Sequence, residues 1–266
     1  MHVLAVNGSP HEKGICRLLL DGLLEGLKDA GADVELVNLS TVTLRPCRAC
    51  DRSRCWTEME CNIEDDALAL RRAFNKCDAF AIAAPVYFLS VNGLTKNFID
   101  RMRNYRKDIR PSAAIAVAGG TGKGCITALQ EICRWMTLVG FYPLVTEPVT
   151  RYNLDVVTGR ARSWGKMLVE RSSDVPQLGS LHDKLLAFDR LPYMGYTVLD
   201  EVLYLARSAI EAISRMGASA QTAELQKTVE MAETALRLGE LEEAMKLAVE
   251  AHEGSMHLFN KIRNAF

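Results

Sequence analysis

The chain carries almost no net charge: its 266 residues hold 32 Lys and Arg against 33 Asp and Glu, a formal balance of -1. Nucleic acid or an anionic membrane ordinarily selects a basic footprint, so neither partner is expected. No apolar run approaches the ~18 residues that a membrane span needs. The N-terminus, Met1-His2-Val3-Leu4-Ala5-Val6, has no basic stretch and no cleavage site, and it reads as a first strand. Neither a Walker pattern nor G-x-G-x-x-G occurs, which disfavours a nucleoside triphosphate and a Rossmann dinucleotide. No repeat of ~34 residues can be traced. These absences leave a chain expected in the cytoplasm, with 48% hydrophobic residues to fill a core.

Apolar runs of strand length alternate with helix-periodic stretches through the first ~150 residues, which implies a parallel sheet with helices on both faces. Strands are predicted at His2–Val6, Asp33–Asn38, Ala79–Ala83, Ala113–Ala118 and Leu144–Pro148. Helices are predicted over Ile15–Ala30, Asp65–Lys76, Val91–Asn104, Gly124–Val139 and Gly159–Arg171. This spacing fits an α/β, flavodoxin-like, doubly wound sheet of five parallel strands in the order 2-1-3-4-5. Its ligand is expected at the carboxyl ends of the strands, near the switch point. Residues 1–172 would form this domain. Ser172 to Gly179 reads as a linker, and residues 180–266 as an all-helical extension that serves as a bundle or oligomerisation module. Its helices are placed at Val198–Met216, Thr222–Leu238 and Leu241–Ile262, with Gly217 and Gly239 as stops. Leu199, Val202, Leu203, Ala206, Ile210 and Ile213 make one apolar stripe that must be buried.

Three loops stand at strand ends. After the first strand comes Asn7-Gly8-Ser9-Pro10-His11-Glu12-Lys13-Gly14-Ile15-Cys16, small residues leading into a helix. Backbone N–H groups in such a turn bind phosphate, with Ser9 adding a hydroxyl and His11 or Lys13 a charge; an ordinary tight turn is the alternative. After the third strand, Pro85, Val86, Tyr87, Phe88, Leu89, Ser90 and Asn92 offer a stiff turn and aromatic surface on which a planar ring could stack. After the fourth, Gly119, Gly120, Thr121, Gly122 and Gly124 permit close backbone approach to a ligand. A flexible connection and a core-packing aromatic pair would explain either of the last two loops alone.

Four cysteines fall within residues 44–64: Cys47, Cys50, Cys55 and Cys61, spaced C-x2-C-x4-C-x5-C. In a reducing compartment such a set argues for metal or redox work more than for disulfides. An iron-sulfur cluster takes four thiolates from one compact run. Four-cysteine zinc usually shows two separated knuckles, and disulfides or plain surface thiols remain the bland alternative. Arg45, Arg48, Arg52 and Arg54 would favour an anionic cluster or simply be solvated, and Trp56 would cover the cluster or anchor the loop. Cys77 and Cys133 read as buried small hydrophobes. Cys16 and Cys125 sit near helix starts, where thiol pKa tends to fall, with packing as their leading role. His182, His252 and His257 lack metal-ligand spacing and are expected at the surface or in caps; Glu240, Glu242 and Glu243 read as a solvated helix start.

Taken together, the Gly8-Ser9-Pro10 turn with Gly14, the Pro85-Val86-Tyr87-Phe88 turn with Lys96 and Asp100-Arg101, and the glycine loop from Gly119 resemble the NADPH-dependent FMN reductase superfamily over residues 1 to about 170. The cysteine loop, with Asp65-Asp66 after it, resembles the iron-sulfur flavoprotein branch. That resemblance implies FMN and a 4Fe-4S cluster exchanging electrons, with the phosphate in the Gly8–Cys16 loop and the isoalloxazine between the other two loops. The family places Thr or Ser where Cys16 stands, and its common cysteine spacing is more compact than the one here.

Three functions follow as expectations. The first is an electron-transfer flavoprotein fed singly by a ferredoxin-like carrier, its cluster held by the four loop cysteines, with cofactor-centred chemistry and no catalytic side chain. The second is a cluster-free NAD(P)H-dependent FMN or quinone reductase. The third is a redox-sensing or scaffold protein with a helical docking module. A homo-oligomer, dimer or tetramer, is expected in the flavin-binding readings.

Overall fold

The computed structural model describes residues 1–50 and 52–264. Strands β1 (His2–Asn7), β2 (Asp33–Asn38), β3 (Ala79–Tyr87), β5 (Arg110–Ala118) and β6 (Phe141–Thr150) pair in parallel in the order β2-β1-β3-β5-β6. Counted as five parallel strands, this is the expected 2-1-3-4-5 arrangement. Strand β4 (Ser90–Val91) adds a short antiparallel return on β3.

The inner strands are covered on both faces, so they read as continuous apolar runs. Alternation then divides their side chains between two cores. Leu4, Val6, Phe80, Ile82 and Ala114 face one side, with helices α3 (Ala67–Lys76), α4 (Gly93–Arg101) and α5 (Cys125–Leu138). Val3, Ala5, Ala81, Ala83 and Ile115 face the other, with α1 (Ile15–Asp29) and α6 (Leu154–Glu170). Phe74 centres the first core, with its ring 5.2 Å from Phe80 and 4.9 Å from Phe141. A short helix, α2 (Arg52–Thr57), carries Cys55.

Several boundaries differ from expectation: β3 runs on to Tyr87, β6 begins at Phe141, α3 begins at Ala67 and α4 ends at Arg101. Helix α4 begins at Gly93, not Val91, because Val91 pairs with Val86 and Asn92 caps the helix by accepting the Thr95 N–H. Strand β5 begins at Arg110: its guanidinium bonds the Phe74 and Cys77 carbonyls and lies over the Phe141 ring, so a charged residue starts a buried strand. Helix α6 begins at Leu154, five residues before the expected Gly159.

The extension is helical throughout its regular elements. Helix α7 (Leu181–Asp189) lies within the stretch expected to be helical but outside the three segments given bounds; Ser180 and Asp183 form the capping box that signals its start. Phe188, Leu191 and Met194 join the α3–α5 core. On α8 (Val198–Arg215), Leu199, Val202, Leu203, Ala206 and Ile210 of the expected stripe are buried against α9 (Ala223–Arg237) and α10 (Leu241–Arg263), whereas Ile213 is buried elsewhere. Leu205, Ala209 and Ile213 on a second face of α8 pack with Ala118, Cys125 and Tyr152 of the α/β portion. Among the described residues no helix is long and apolar enough to cross a membrane.

Candidate functional site

The first loop is folded by its own polar atoms. The Gly8 N–H donates to Ala83 O at 2.8 Å, and Gly8 O accepts from Asn92 Nδ2 at 2.8 Å. A Cβ on Gly8 would lie 2.2 Å from Thr95 Oγ1, so only glycine lets the β1 turn press against the start of α4. Buried Ser9 gives its N–H to Asn7 Oδ1, and its Oγ accepts the His11 N–H at 3.0 Å. Its hydroxyl hydrogen remains available as a donor. Gly14 is the N-cap of α1 and brings no side chain, leaving the first-turn N–H groups, Ile15 and Cys16 among them, facing outward. Pro10, His11, Lys13 and Gly14 border an open depression of about 620 Å3. The Cys16 side chain turns into the α1 core, and burial pushes its thiol up to about 12. Only its backbone could serve a phosphate.

The second loop is a two-residue hairpin between β3 and β4. Phe88 (φ 49°) and Leu89 (φ 72°) occupy left-handed positions, where Asn-Gly would be usual. Tyr87 and Leu89 are about half exposed and Phe88 is 99% exposed. Pro85 lies inside β3, opposite Val117, with Val86 pairing to Val91. Ser90 Oγ donates to Glu131 Oε2 at 2.7 Å, tying the hairpin to α5.

The glycine loop abuts this hairpin. A Cβ on Gly124 (φ 87°) would stand 2.4 Å from Leu89 Cα. Gly119, Gly120 and Thr121 form an exposed edge, while Gly122 is buried with Leu205 of α8 above it. Here the extension meets the site: Glu201 Oε1 accepts the Ile126 N–H at 2.9 Å. The start of α5, which follows the glycine loop, is thus engaged by a carboxylate of the chain itself. Cys125 beside it does not have the lowered thiol pKa that a helix start suggests. Burial first, and Glu201 second, hold it well above its ordinary value.

The cysteine loop lies at the other end of α4. Cys47, Cys50, Cys55 and Cys61 all line one cavity of about 500 Å3, together with Arg48, Arg54, Trp56, Arg71, Arg101 and Arg103. The loop's path is fixed through its carbonyls. Arg71, 2% exposed, donates to Glu60 O at 2.9 Å and Arg101 O at 2.6 Å. Arg101 donates to Arg45 O at 2.6 Å, and the Tyr105 hydroxyl lies 2.9 Å from the Cys55 and Glu58 carbonyls. Asp65 and Arg101 pair at 2.7 and 2.8 Å with their side chains excluded from solvent. Burial pushes the Asp65 carboxyl up, but the bonds from Arg101 and from the Arg45 and Ala67 N–H groups outweigh it and leave it below its ordinary value. Asn62 Nδ2 reaches Cys50 Sγ at 3.7 Å. Trp56 is 60% exposed and stacks on Arg103 at 4.5 Å. It forms part of the wall and is not a lid. The side chain of Arg52 lies outside the described residues.

The nine residues of α4, roughly 14 Å at 1.5 Å each, separate the three strand-end loops from the sulfur cavity. Among the described residues no disulfide forms, and no three His, Cys, Asp or Glu side chains stand close enough as placed to hold a metal ion. Cys77 and Cys133 are buried, as expected. His252 is not a surface residue: it is 1% exposed, with both ring nitrogens buried and unpartnered. Sequence reading missed Arg71, Tyr105 and Glu201. Their partners lie 11 to 75 residues away, and only the fold brings them together.

Comparison with known proteins identifies the family. Residues 1–149 match the family described as NADPH-dependent FMN reductase. An iron-sulfur flavoprotein of Archaeoglobus fulgidus is 29% identical over 170 residues, which is 60% of this chain and 83% of that protein. Another from the same organism is 35% identical, covering 52% of this chain and 62% of its own length. An iron-sulfur flavoprotein of Methanosarcina thermophila is 28% identical, covering 53% and 75%. Among solved structures, a flavone reductase superposes with TM-score 0.51 at 16% identity, covering 65% of this chain and 64% of its own. The NAD(P)H:quinone oxidoreductase of Methanothermobacter marburgensis gives 0.50 at 22% identity, covering 63% and 96%. These two superpositions establish the shared α/β fold.

Proposed function

Since the chain belongs to the NADPH-dependent FMN reductase family and is thereby a flavin-dependent oxidoreductase, we propose that it pairs FMN with a 4Fe-4S cluster held by Cys47, Cys50, Cys55 and Cys61. The observation that carries this reading is the shared sulfur cavity. Four thiols face one space with cationic side chains around it, which suits an anionic cluster. Four-cysteine zinc usually shows two separated C-x2-C knuckles, and Cys47, Cys50, Cys55 and Cys61 form one compact run. The three relatives named as iron-sulfur flavoproteins support the same choice.

When bound, the flavin supplies storage of two electrons and the cluster supplies transfer one at a time; the chain supplies placement. Ser9, His11 and the first-turn N–H groups of α1, from Ile15 onward, would receive the phosphate, with Pro10 and Gly14 shaping the turn. Asn92 holds Gly8 O and so sets that turn against α4. Pro85–Asn92 would line one side of the isoalloxazine and Gly119–Gly124 the other, with Glu201 fixing the start of α5 behind the glycine loop. The cavity opens to solvent at Cys47 and Cys50, where a ferredoxin-like one-electron carrier would dock near Arg48 and Arg54. The apolar tip Tyr87-Phe88-Leu89 offers a surface for self-association into a dimer or tetramer.

A second reading, a cluster-free NAD(P)H-dependent FMN or quinone reductase, is favoured by the exposed edge Gly119–Thr121 of the loop whose Gly124 abuts Leu89, where a nicotinamide could lie. Anaerobic purification with iron and flavin assay separates the two. Flavin absorption with a broad blue shoulder and bound iron is expected. Flavin without iron selects the second reading, and absence of both defeats each.

A further inference from the structure

Arg101, the last residue of α4, is 1% exposed, and its guanidinium is committed in a specific way. One edge forms the two-point pair with Asp65, Nη1 also donates to Arg45 O, and Nη2 donates to Cys61 Sγ at 3.3 Å. The other arginines on the cavity act differently. Arg54 is exposed and pairs with Glu60, so its charge is screened by water and salt. Arg71 spends its N–H groups on carbonyls, and Arg103 bonds the Asp100 and Met102 carbonyls while stacking on Trp56.

From this we infer that Arg101 is a positioning residue for the iron cluster. Its fork, anchored by Asp65, orients the Cys61 thiolate, and its buried charge favours the reduced state of the cluster. The inference rests on the proposed function above. Hydrogen bonds to cluster sulfurs and nearby charge are the levers by which a protein raises a cluster's potential. The cavity is open at Cys47 and Cys50, but the Arg101 guanidinium is itself excluded from water, so its charge is screened less than that of an exposed arginine. Asp65 partly offsets that cation while aiming it, so the pair has two separable effects, one geometric and one electrostatic.

Substitution separates them, because the two partners carry opposite charges. Iron content, FMN content and the one-electron potential of the cluster would be measured in the full chain and in Arg101→Gln, Asp65→Asn and Arg101→Lys. Arg101→Gln is expected to lower the cluster's reduction equilibrium about tenfold, ~59 mV for one electron. Asp65→Asn, which leaves the cation unbalanced, should shift it the opposite way. Arg101→Lys keeps the charge, and should keep both iron and a potential nearer the unmodified protein than Arg101→Gln. FMN should stay bound in all three. A purely structural pair would loosen the loop in both removals, so shifts of the same sign, or none, overturn the inference. Should Arg101→Gln bind no iron, Arg101→Lys decides: iron-loaded it supports the inference, and folded but iron-free it overturns it. An unmodified protein without iron defeats the functional reading itself and this inference with it, an outcome distinct from the other failures.

Discussion

Glu201 on helix α8 accepts the backbone N–H of Ile126 at 2.9 Å, so the C-terminal extension caps the helix that follows the glycine loop. The carboxylate is 6% exposed and reaches across 75 residues of sequence. Removing it leaves a buried donor without a partner, a loss of about 1–3 kcal/mol. Glu201→Ala should therefore lower unfolding stability by that order in urea titration. Glu201→Gln keeps an amide oxygen in place and should recover most of the loss. Equal effects of the two substitutions would mean that side-chain packing, and not the cap, holds α8 to the glycine loop.

Gly8 makes a second, sharper demand. A methyl group there would overlap Thr95 Oγ1 at 2.2 Å and press on Ala83 O at 3.2 Å. Overpacking of this kind costs about 1–3 kcal/mol, and it displaces the turn proposed to receive the phosphate. Gly8→Ala should both destabilise the flavin-free chain and weaken FMN binding in a fluorescence titration. Gly119→Ala is the contrast. Nothing lies within 4 Å of its Cβ position, so the flavin-free stability should stay within ~0.5 kcal/mol of the unmodified chain. Comparable destabilisation by both would remove the argument from close approach.

The parts of this fold that were legible in the sequence are those set by local pattern. The inner strands are buried on both faces, so Val3–Val6 and Ala79–Ala84 appear as unbroken apolar runs. Leu199, Val202, Leu203 and Ala206 repeat at helical spacing and are buried accordingly. The four cysteines announced themselves by proximity. What stayed hidden depends on contacts between distant residues. Phe88 and Leu89 form a left-handed turn without the glycine or asparagine that usually marks one. Arg71 and Arg110 look like surface charges until the fold supplies carbonyls to them. His252 sits on a helix whose outer face is polar, and its burial follows only from the packing of the extension.

The cysteine loop should tolerate loss of one of its four proposed cluster ligands without collapse. Its course is held by Arg71, Arg101 and Tyr105 through main-chain carbonyls, whereas Cys50 is exposed and its Sγ is approached by Asn62 at 3.7 Å. Cys50→Ser should thus abolish iron binding, leave FMN bound, and leave the stability of the cofactor-free chain within ~0.5 kcal/mol. Iron assay and flavin release by heat read the two cofactors separately. Joint loss of iron and FMN would show that the loop depends on its sulfur ligands for its fold.

His252 predicts the pH dependence of the extension. Burial above all, with the cations Lys123 and Arg151 adding to it and Glu253 opposing, lowers its pKa from 6.5 to about 4. A depressed histidine pKa means that the folded chain refuses a proton which the unfolded chain accepts. Its neutral form is common to both states above pH 6.5, so stability there is undiminished. Between that value and about 4 the unfolded state gains the proton alone, and stability falls by roughly 2–3 kcal/mol across the window. Carboxylates titrating near the lower end add their own slope in any variant, so the comparison must be made against His252→Leu. Urea unfolding at pH 7 and pH 4.5 should show the unmodified protein losing more stability than that variant by about this amount. Parallel losses would place the ring in contact with water or a hydrogen-bond partner, and would remove the burial from which the shift arises.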